Sequence, residues 1–369
     1  MTEYYIGLMS GTSIDGIDAV LVDFSGDDHQ LKIISSYCRP WQVDMAKKIS
    51  QLCYPNDHEV ERLGELNALI GIQFSKAVNT LLAQANIKSD QIKAIGSHGQ
   101  TIRHHPEKNP AFSLQIGDPN RIACLTNIPT IADFRSKDIA LGGQGAPLVP
   151  AFHAWLFAQE SADIAVLNIG GIANITLLFS DQTIKGFDTG TGNRLMDDWI
   201  NRHQDKSYDH NGDWAKIGKV NQSLLNHLLA DPYFQLPYPK STGSEYFNLA
   251  WLDQQLAKLS PIKTKDVQAT LVELTAVSIA NEIKIHAPKA AQLLVCGGGC
   301  YNGLLMQRLS LLLPFLVVET TVSAGLDPDI VEAAAFAWLA KQHLNHQTGN
   351  VPAVTGAKRA AVLGVLCPV

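Results

Sequence analysis

The residues of this chain that could do chemistry gather in a few short glycine-rich stretches. The first is MSGTSIDGID, where Gly11 and Gly16 would let the backbone approach a ligand and Thr12 and Ser13 add hydroxyl donors. Backbone N–H groups of such a turn can converge on a phosphate oxygen, although ordinary hairpin turns use the same residue types. Asp15 and Asp18 would repel a bare anion; they suit a phosphate accompanied by Mg2+, or sugar hydroxyls. The stretch NIGGIAN repeats the pattern with Asn168, Gly170 and Gly171. Two such turns in two similar lobes would act as opposing jaws on a polyphosphate. In GFDTGTGN, Asp188 stands at the end of a short apolar run and faces what the glycines leave open, as a general base for a hydroxyl or water would. Its other reading is a helix cap, for which Thr191 or Asn193 is better placed.

Four further stretches hold polar groups. LLVCGGGCYNG runs an apolar strand into Gly297, Gly298 and Gly299, with Asn302 before a helix. GSHGQTIRHHP offers His98 and Gln100 at a strand end, either as hydrogen-bonding groups for a polar substrate or as satisfied structural side chains. Its histidines have no metal-ligand spacing. ADFRSKDIA carries Arg135, which could fork onto a carboxylate or pair with a surface acid. Glu332 lies near the start of a helix and either reaches substrate or favours the helix N-terminus.

These stretches need elements to position them. Strand-like runs cover Tyr4–Met9, Ile17–Asp23, Lys93–Ser97, Ala165–Ile169, Ala173–Phe179, Leu293–Cys296 and Leu316–Glu319. Three- and four-residue apolar spacing predicts helices over Glu59–Ala85, Thr270–Ala287 and Asp327–His343, the last with an Ala333-Ala334-Ala335 centre suited to close packing. Alternating strands and helices give an α/β protein. Tyr5–Phe24 and Ala165–Phe179 share a strand–turn–strand pattern, a weak internal repeat that predicts two lobes of like topology. The glycine- and proline-rich Leu141–Pro150 is the expected boundary. One lobe would comprise residues 1–150 with 330–369 packing back on it, the other 151–329.

Composition narrows the function. With 369 residues, two lobes are expected, and an apolar fraction of 46% supplies their cores. A net charge of −6 argues against nucleic acid as a partner. The six cysteines form no CxxC pair and read as reduced thiols rather than a zinc site. No signal peptide and no bilayer-length apolar run are present, which predicts a cytoplasmic protein without a membrane partner. The P-loop pattern GxxxxGK[ST] is absent. Gly297-x-Gly299 with Glu319 roughly twenty residues on imitates a dinucleotide fingerprint, but Asn302 occupies the third glycine's place and too little chain follows for a Rossmann sheet.

The motifs MSGTSIDGID, GSHGQTIRHHP, ADFR, GGQGAPLVP, NIGGIANIT, GFDTGTGN, CGGGCYN and DPDIVEAAAF, in this order along the chain, resemble the anhydro-N-acetylmuramic acid kinase family of the actin-like and sugar-kinase ATPase superfamily. The resemblance implies two actin-like (ribonuclease H-like) lobes with a central ATP and substrate cleft, and a homodimer. It implies that Gly11, Thr12, Ser13, Ile14, Asp15, Gly16, Ile17 and Asp18 form the first phosphate loop and Asn168, Gly170 and Gly171 the second. Gly297, Gly298, Gly299 and Asn302 match the adenosine loop, Asp188 the catalytic aspartate, and His98, Gln100, Arg135 and Glu332 motifs lining the sugar site. Many superfamily members carry aspartate where Asn168 stands, so the metal ligands are not assigned. The implied cofactors are ATP and Mg2+. The implied reaction takes ATP, water and 1,6-anhydro-N-acetylmuramic acid to ADP and N-acetylmuramic acid 6-phosphate, a step of peptidoglycan recycling. The alternatives are another superfamily sugar kinase acting on a free hydroxyl, an actin-like filament or chaperone module, and a dehydrogenase.

Overall fold

The run Tyr4–Ser10 is buried almost throughout, as expected of a central strand covered on both faces. A computed structural model places it in the first of two compact units and describes every residue except Met1, Asp27, Asp28, Asn56 and Ser244. The first unit is Met1–Leu156 with Ile330–Val369; the second is Phe157–Asp329.

In the first unit, β1 (Tyr4–Ser10), β2 (Gly16–Asp23) and β3 (Lys32–Pro40) form an antiparallel meander. On the other side of β1, β4 (Ile92–His105) runs parallel to it, and β6 (Thr130–Ala132) runs parallel to β4, while β5 (Phe112–Ile116) pairs back on β4. The strand expected over Lys93–Ser97 thus continues to His105, and His98 and Gln100 lie inside it. One sheet face packs Ile6, Leu8, Ile17 and Leu21 against Ile70, Phe74, Val78 and Leu81 of the helix Glu59–Ala85, whose bounds match its apolar spacing.

The opposite face is built for close approach. Gly7 of β1 and Gly96 of β4 are register partners, and a Cβ on either would overlap a backbone carbonyl of the helix Val331–Leu344, at Ala333 and Phe336 respectively. Paired glycines therefore let an alanine-rich helix sit directly on the strand backbones. This helix begins at Val331, not at Asp327, because the Asp329 N–H turns back to Asp327 Oδ1 at 3.0 Å.

In the second unit, β7 (Ile164–Ile169), β8 (Ile172–Leu178) and β9 (Ile184–Thr191) form the meander. β10 (Gln292–Cys296) runs parallel to β7, and β11 (Val317–Thr320) runs parallel to β10 at the sheet edge. Leu167, Ile169, Ile175 and Phe187 share a core with Leu271, Leu274, Ile279 and Ile283 of the helix Thr264–His286, which starts at Thr264 rather than at Thr270 as its periodicity predicts. Back in the first unit, β12 (Val365–Cys367) closes that sheet antiparallel to β6. Each unit is thus a three-stranded meander extended by parallel strands from its first strand. That is the α/β, ribonuclease H-like arrangement expected for an actin-like chain, and the described residues form no Rossmann sheet. No helix among the described residues is long and apolar enough to cross a membrane.

Candidate active site

In the first unit the β1–β2 turn is braced from beneath. Ser10 Oγ lies 2.7 Å from both the Gly16 carbonyl and Gln100 Oε1, and accepts from Trp41 Nε1 at 3.1 Å. Gln100 Nε2 donates to the carbonyls of Gly11 and Thr101 at 3.1 and 3.3 Å. Gln100 is fully buried, so its amide holds the loop rather than projecting into solvent. Above it, Thr12, Ser13 and Asp15 are exposed, and Asp18 is half-buried on β2. Ile14 between them has φ +56°, a left-handed conformation that costs a β-branched residue about 1–3 kcal/mol and marks strain stored in the loop.

Beside this loop, His98 and Arg135 form one unit of hydrogen bonds. His98 Nδ1 donates to the Gly99 carbonyl at 2.9 Å, which leaves Nε2 as the acceptor for Arg135 Nε and Nη2 at 3.1 and 2.9 Å. Burial, and then the Arg135 charge, hold His98 well below its ordinary pKa, so it stays neutral in this tautomer. Arg135 Nη1 donates to the Gly145 carbonyl at 2.7 Å. Burial pulls Arg135 down to about 10, opposed by Glu332 and Asp138. Burial pushes Glu332 above the usual carboxylate range; Arg135 draws it back, while Asp18 and Asp15 push it further up. The structure therefore brings His98, Arg135, Glu332 and the acids of the first loop into one electrostatic neighbourhood.

Sequence reasoning missed Asp138. It is fully buried and accepts from Gly145 N–H, Asn350 Nδ2 and Thr355 Oγ1 at 2.8, 2.6 and 2.7 Å. Two of those partners lie more than 200 residues away, so no local signal announces it.

In the second unit, the glycines divide by cause. Gly297 has φ +75° and its missing Cβ leaves room for Asn168 Oδ1; a Cβ on Gly299 would overlap Ile169. At Gly170, Gly171 and Gly298 a Cβ would meet nothing closer than 3.7 Å, and none has positive φ. The fold itself therefore does not require glycine at those three, whereas close approach of a ligand to the backbone would. Asn302 caps the helix Gly303–Leu312, accepting from Leu305 N–H at 3.2 Å. Asn193, which sequence reasoning weighed only as a cap, donates from Nδ2 to the Ile169 carbonyl at 3.1 Å, and a Cβ on Gly299 would come within 3.0 Å of its Oδ1.

Asp188 lies within β9, facing Asn174 of β8 where the register slips. Its Oδ2 accepts one backbone N–H, from Thr242 at 2.9 Å. Burial pushes the carboxyl up to about 7; the Thr242 bond offsets part of this and Glu245 adds to it. A carboxylate poised near neutrality can take a proton at physiological pH. The contributions of Tyr233, Lys240, Thr242 and Glu245 were not read from the sequence, although the Pro/Gly-rich run around them marks a loop. Glu319, the acid of the dinucleotide reading, is occupied by Gln292 Nε2 at 2.9 Å. Among the described residues no three His, Cys, Asp or Glu side chains come together as a metal site, and no disulfide joins any of the six cysteines.

Comparison with known proteins adds whole-chain evidence. A family model for anhydro-N-acetylmuramic acid kinase matches residues 3–369. The anhydro-N-acetylmuramic acid kinase of Shewanella sp. (strain ANA-3) is 54% identical over 362 residues, covering 98% of this chain and 97% of that protein. The one from Shewanella pealeana is 52% identical over 367 residues, covering 99% of each. Among solved structures, the activator of the 2-hydroxyisocaproyl-CoA dehydratase from Clostridium difficile aligns at 12% identity with a TM-score of 0.46, covering 93% of this chain and 96% of that one. A ROK family glucokinase from Streptomyces griseus aligns at 12% identity with a TM-score of 0.38, covering 91% and 99%. From the family match and identities above half along nearly the full length, this chain belongs to the anhydro-N-acetylmuramic acid kinase family.

Proposed function

We propose that this protein is an ATP-dependent kinase that opens 1,6-anhydro-N-acetylmuramic acid with water and phosphorylates O6, yielding N-acetylmuramic acid 6-phosphate and ADP. The observation that carries the reading is Asp188, a carboxylate with one hydrogen-bond donor and a pKa near 7. In the anhydro sugar, O6 is tied into the bridge and is no nucleophile until the bridge opens. Asp188 takes a proton from the water that attacks C1, the C1–O6 bond breaks, and the electron pair leaves on O6. That oxygen then bonds to the γ-phosphorus of ATP as the β–γ bridge bond breaks and ADP leaves. Asp188 thus performs the base half of an inverting glycoside hydrolysis. Capture of O6 by phosphorus replaces the second acid.

The backbone of Gly11–Asp18, with the hydroxyls of Thr12 and Ser13, and the turn Asn168–Gly171 are the phosphate-binding groups of this reading. The open space at Gly170, Gly171 and Gly298 supports it. Gln100 acts here as a brace for the first loop, and Asn302 positions the adenosine turn through its helix cap. Mg2+ is the expected metal, held by Asp15 or Asp18 with nucleotide oxygens and water, a donor set that needs no protein cage. It would neutralise charge on the transferring phosphoryl group. Arg135, oriented by neutral His98 and balanced by Glu332, is the partner for the lactyl carboxylate. The family resemblance supports a cytoplasmic homodimer acting in peptidoglycan recycling.

The test is ADP release with 1,6-anhydro-N-acetylmuramic acid in 18O-water. ADP formation that depends on the anhydro sugar, with 18O at C1 of the product, is the expected result. ADP released only with open sugars would assign the free-hydroxyl kinase instead.

A further inference from the structure

Asp188 sits at a weak point of its sheet. β9 is an edge strand, and its register with β8 slips directly beside the Asn174–Asp188 pair, before Gly190 pairs with Ala173. The segment Tyr233–Thr242 supplies what the ladder does not. Tyr233 OH donates to the Asp188 carbonyl at 2.7 Å, the Asp188 N–H donates to the Lys240 carbonyl at 3.1 Å, and Thr242 N–H reaches the Asp188 carboxylate at 2.9 Å. This one segment therefore contacts the Asp188 peptide on both sides as well as its reactive group.

The segment is itself anchored by one buried ion pair. Lys240 Nζ meets Glu282 Oε1 of the helix Thr264–His286 at 2.7 Å, the two side chains being 2% and 10% exposed. Lys240 also lies 5.0 Å from the centre of the Tyr233 ring, and His286 Nε2 stands 3.4 Å from Glu282 Oε2. Burying a lysine is costly, and replacing a buried ion pair by well-packed apolar residues is often neutral or stabilising in proteins. What a buried, directional pair adds is a defined position for the backbone that carries it.

We infer that Lys240 and Glu282 are positioning residues: their ion pair locks the Tyr233–Thr242 segment along the open edge of β9 and thereby holds the Asp188 carboxylate in its reactive place. The inference rests on the reading of Asp188 as the base. Neither residue touches substrate in this account; each acts through the Lys240 carbonyl, the Tyr233 hydroxyl and the Thr242 N–H.

The experiment compares Lys240→Met, Glu282→Gln, the double variant and Lys240→Arg with wild type, measuring kcat, KM for ATP and thermal melting, with Asp188→Asn alongside. Displacement of a catalytic group by about 1 Å costs on the order of 100-fold, so Lys240→Met should lose about 10- to 100-fold in kcat with KM for ATP unchanged. The double variant should lose no more than Lys240→Met, because one anchor is broken once. Lys240→Arg, which keeps a cation for Glu282, should recover much of kcat. If Lys240→Met does not fold because Glu282 is left unpaired, the double variant, which removes both charges, decides. Wild-type kcat in a folded double variant overturns the inference, as does a lowered melting temperature with undiminished kcat. An active Asp188→Asn would instead refute the reading of Asp188 as base, a separate failure.

Discussion

Replacing Asp188 by asparagine should remove activity and stabilise the protein, with the stabilisation confined to one side of a pH window. The carboxyl is pushed from 3.8 to about 7, chiefly by burial. Between those values the folded protein holds a proton that the unfolded chain has released. Folding is therefore favoured at the acid end of the window, and stability falls as pH rises through it. At about 1.36 kcal/mol for each pKa unit, the ionised form is roughly 4 kcal/mol less stable in the fold above pH 7 than a neutral isostere. Asparagine has nearly the same shape, keeps an oxygen to accept the Thr242 N–H and carries no charge. The variant and wild type should thus have similar stability near pH 4, and the gap should widen to about 4 kcal/mol near pH 8. Urea denaturation of both proteins across that range, followed by tryptophan fluorescence, reads the gap, and ADP release with the anhydro sugar confirms loss of activity. A gap that is constant with pH would refute the argument, because it would mean that Asp188 is not a buried acid held away from its charged state.

Three further outcomes follow from the geometry. Gly298→Ala and Gly170→Ala should melt like wild type but raise KM for ATP, whereas Gly297→Ala, with a left-handed φ and Asn168 in the way, should fold poorly; circular dichroism melting with ATP kinetics separates them. Gly7→Ala should lower stability by about 1–3 kcal/mol or more, since its methyl would meet the Ala333 carbonyl, and an unchanged melting temperature would rule out the packing described. Arg135→Ala should raise KM for 1,6-anhydro-N-acetylmuramic acid by about 10- to 100-fold, the value of a charged hydrogen bond, but leave the anhydro sugar lacking the lactyl group unaffected; equal KM effects on both would remove the carboxylate role.

Much of the framework was legible in the amino-acid order because it is set by local rules. Apolar spacing alone marked the helix Glu59–Ala85 at both ends, and the two hairpins, Tyr5–Phe24 and Ala165–Phe179, showed their turns through glycines and hydroxyls. The family motifs likewise stand in unbroken stretches of chain. Where a local rule competed with a turn, it erred: the helix after Asp327 starts later because an aspartate side chain captures the backbone N–H first. Short elements such as β5 and β6 carry too few residues for a periodic signal.

The site's chemistry was decided elsewhere. The sequence alone set which carboxylates, hydroxyls and glycines exist, and in which turns. Only the tertiary structure raised the Asp188 carboxyl to about 7, by removing it from water and giving it a single N–H from a residue 54 positions away. It made His98 a neutral acceptor chiefly by burying it, with Arg135 placed against its free ring nitrogen, and it turned Gln100 inward to hold a loop. It also assembled Asp138 and the Lys240–Glu282 pair from segments remote in the chain. The physical reason is one of range. Turn and helix preferences act between near neighbours, whereas desolvation and the partners of a buried polar group are properties of the packed interior, which exists only once distant segments have met.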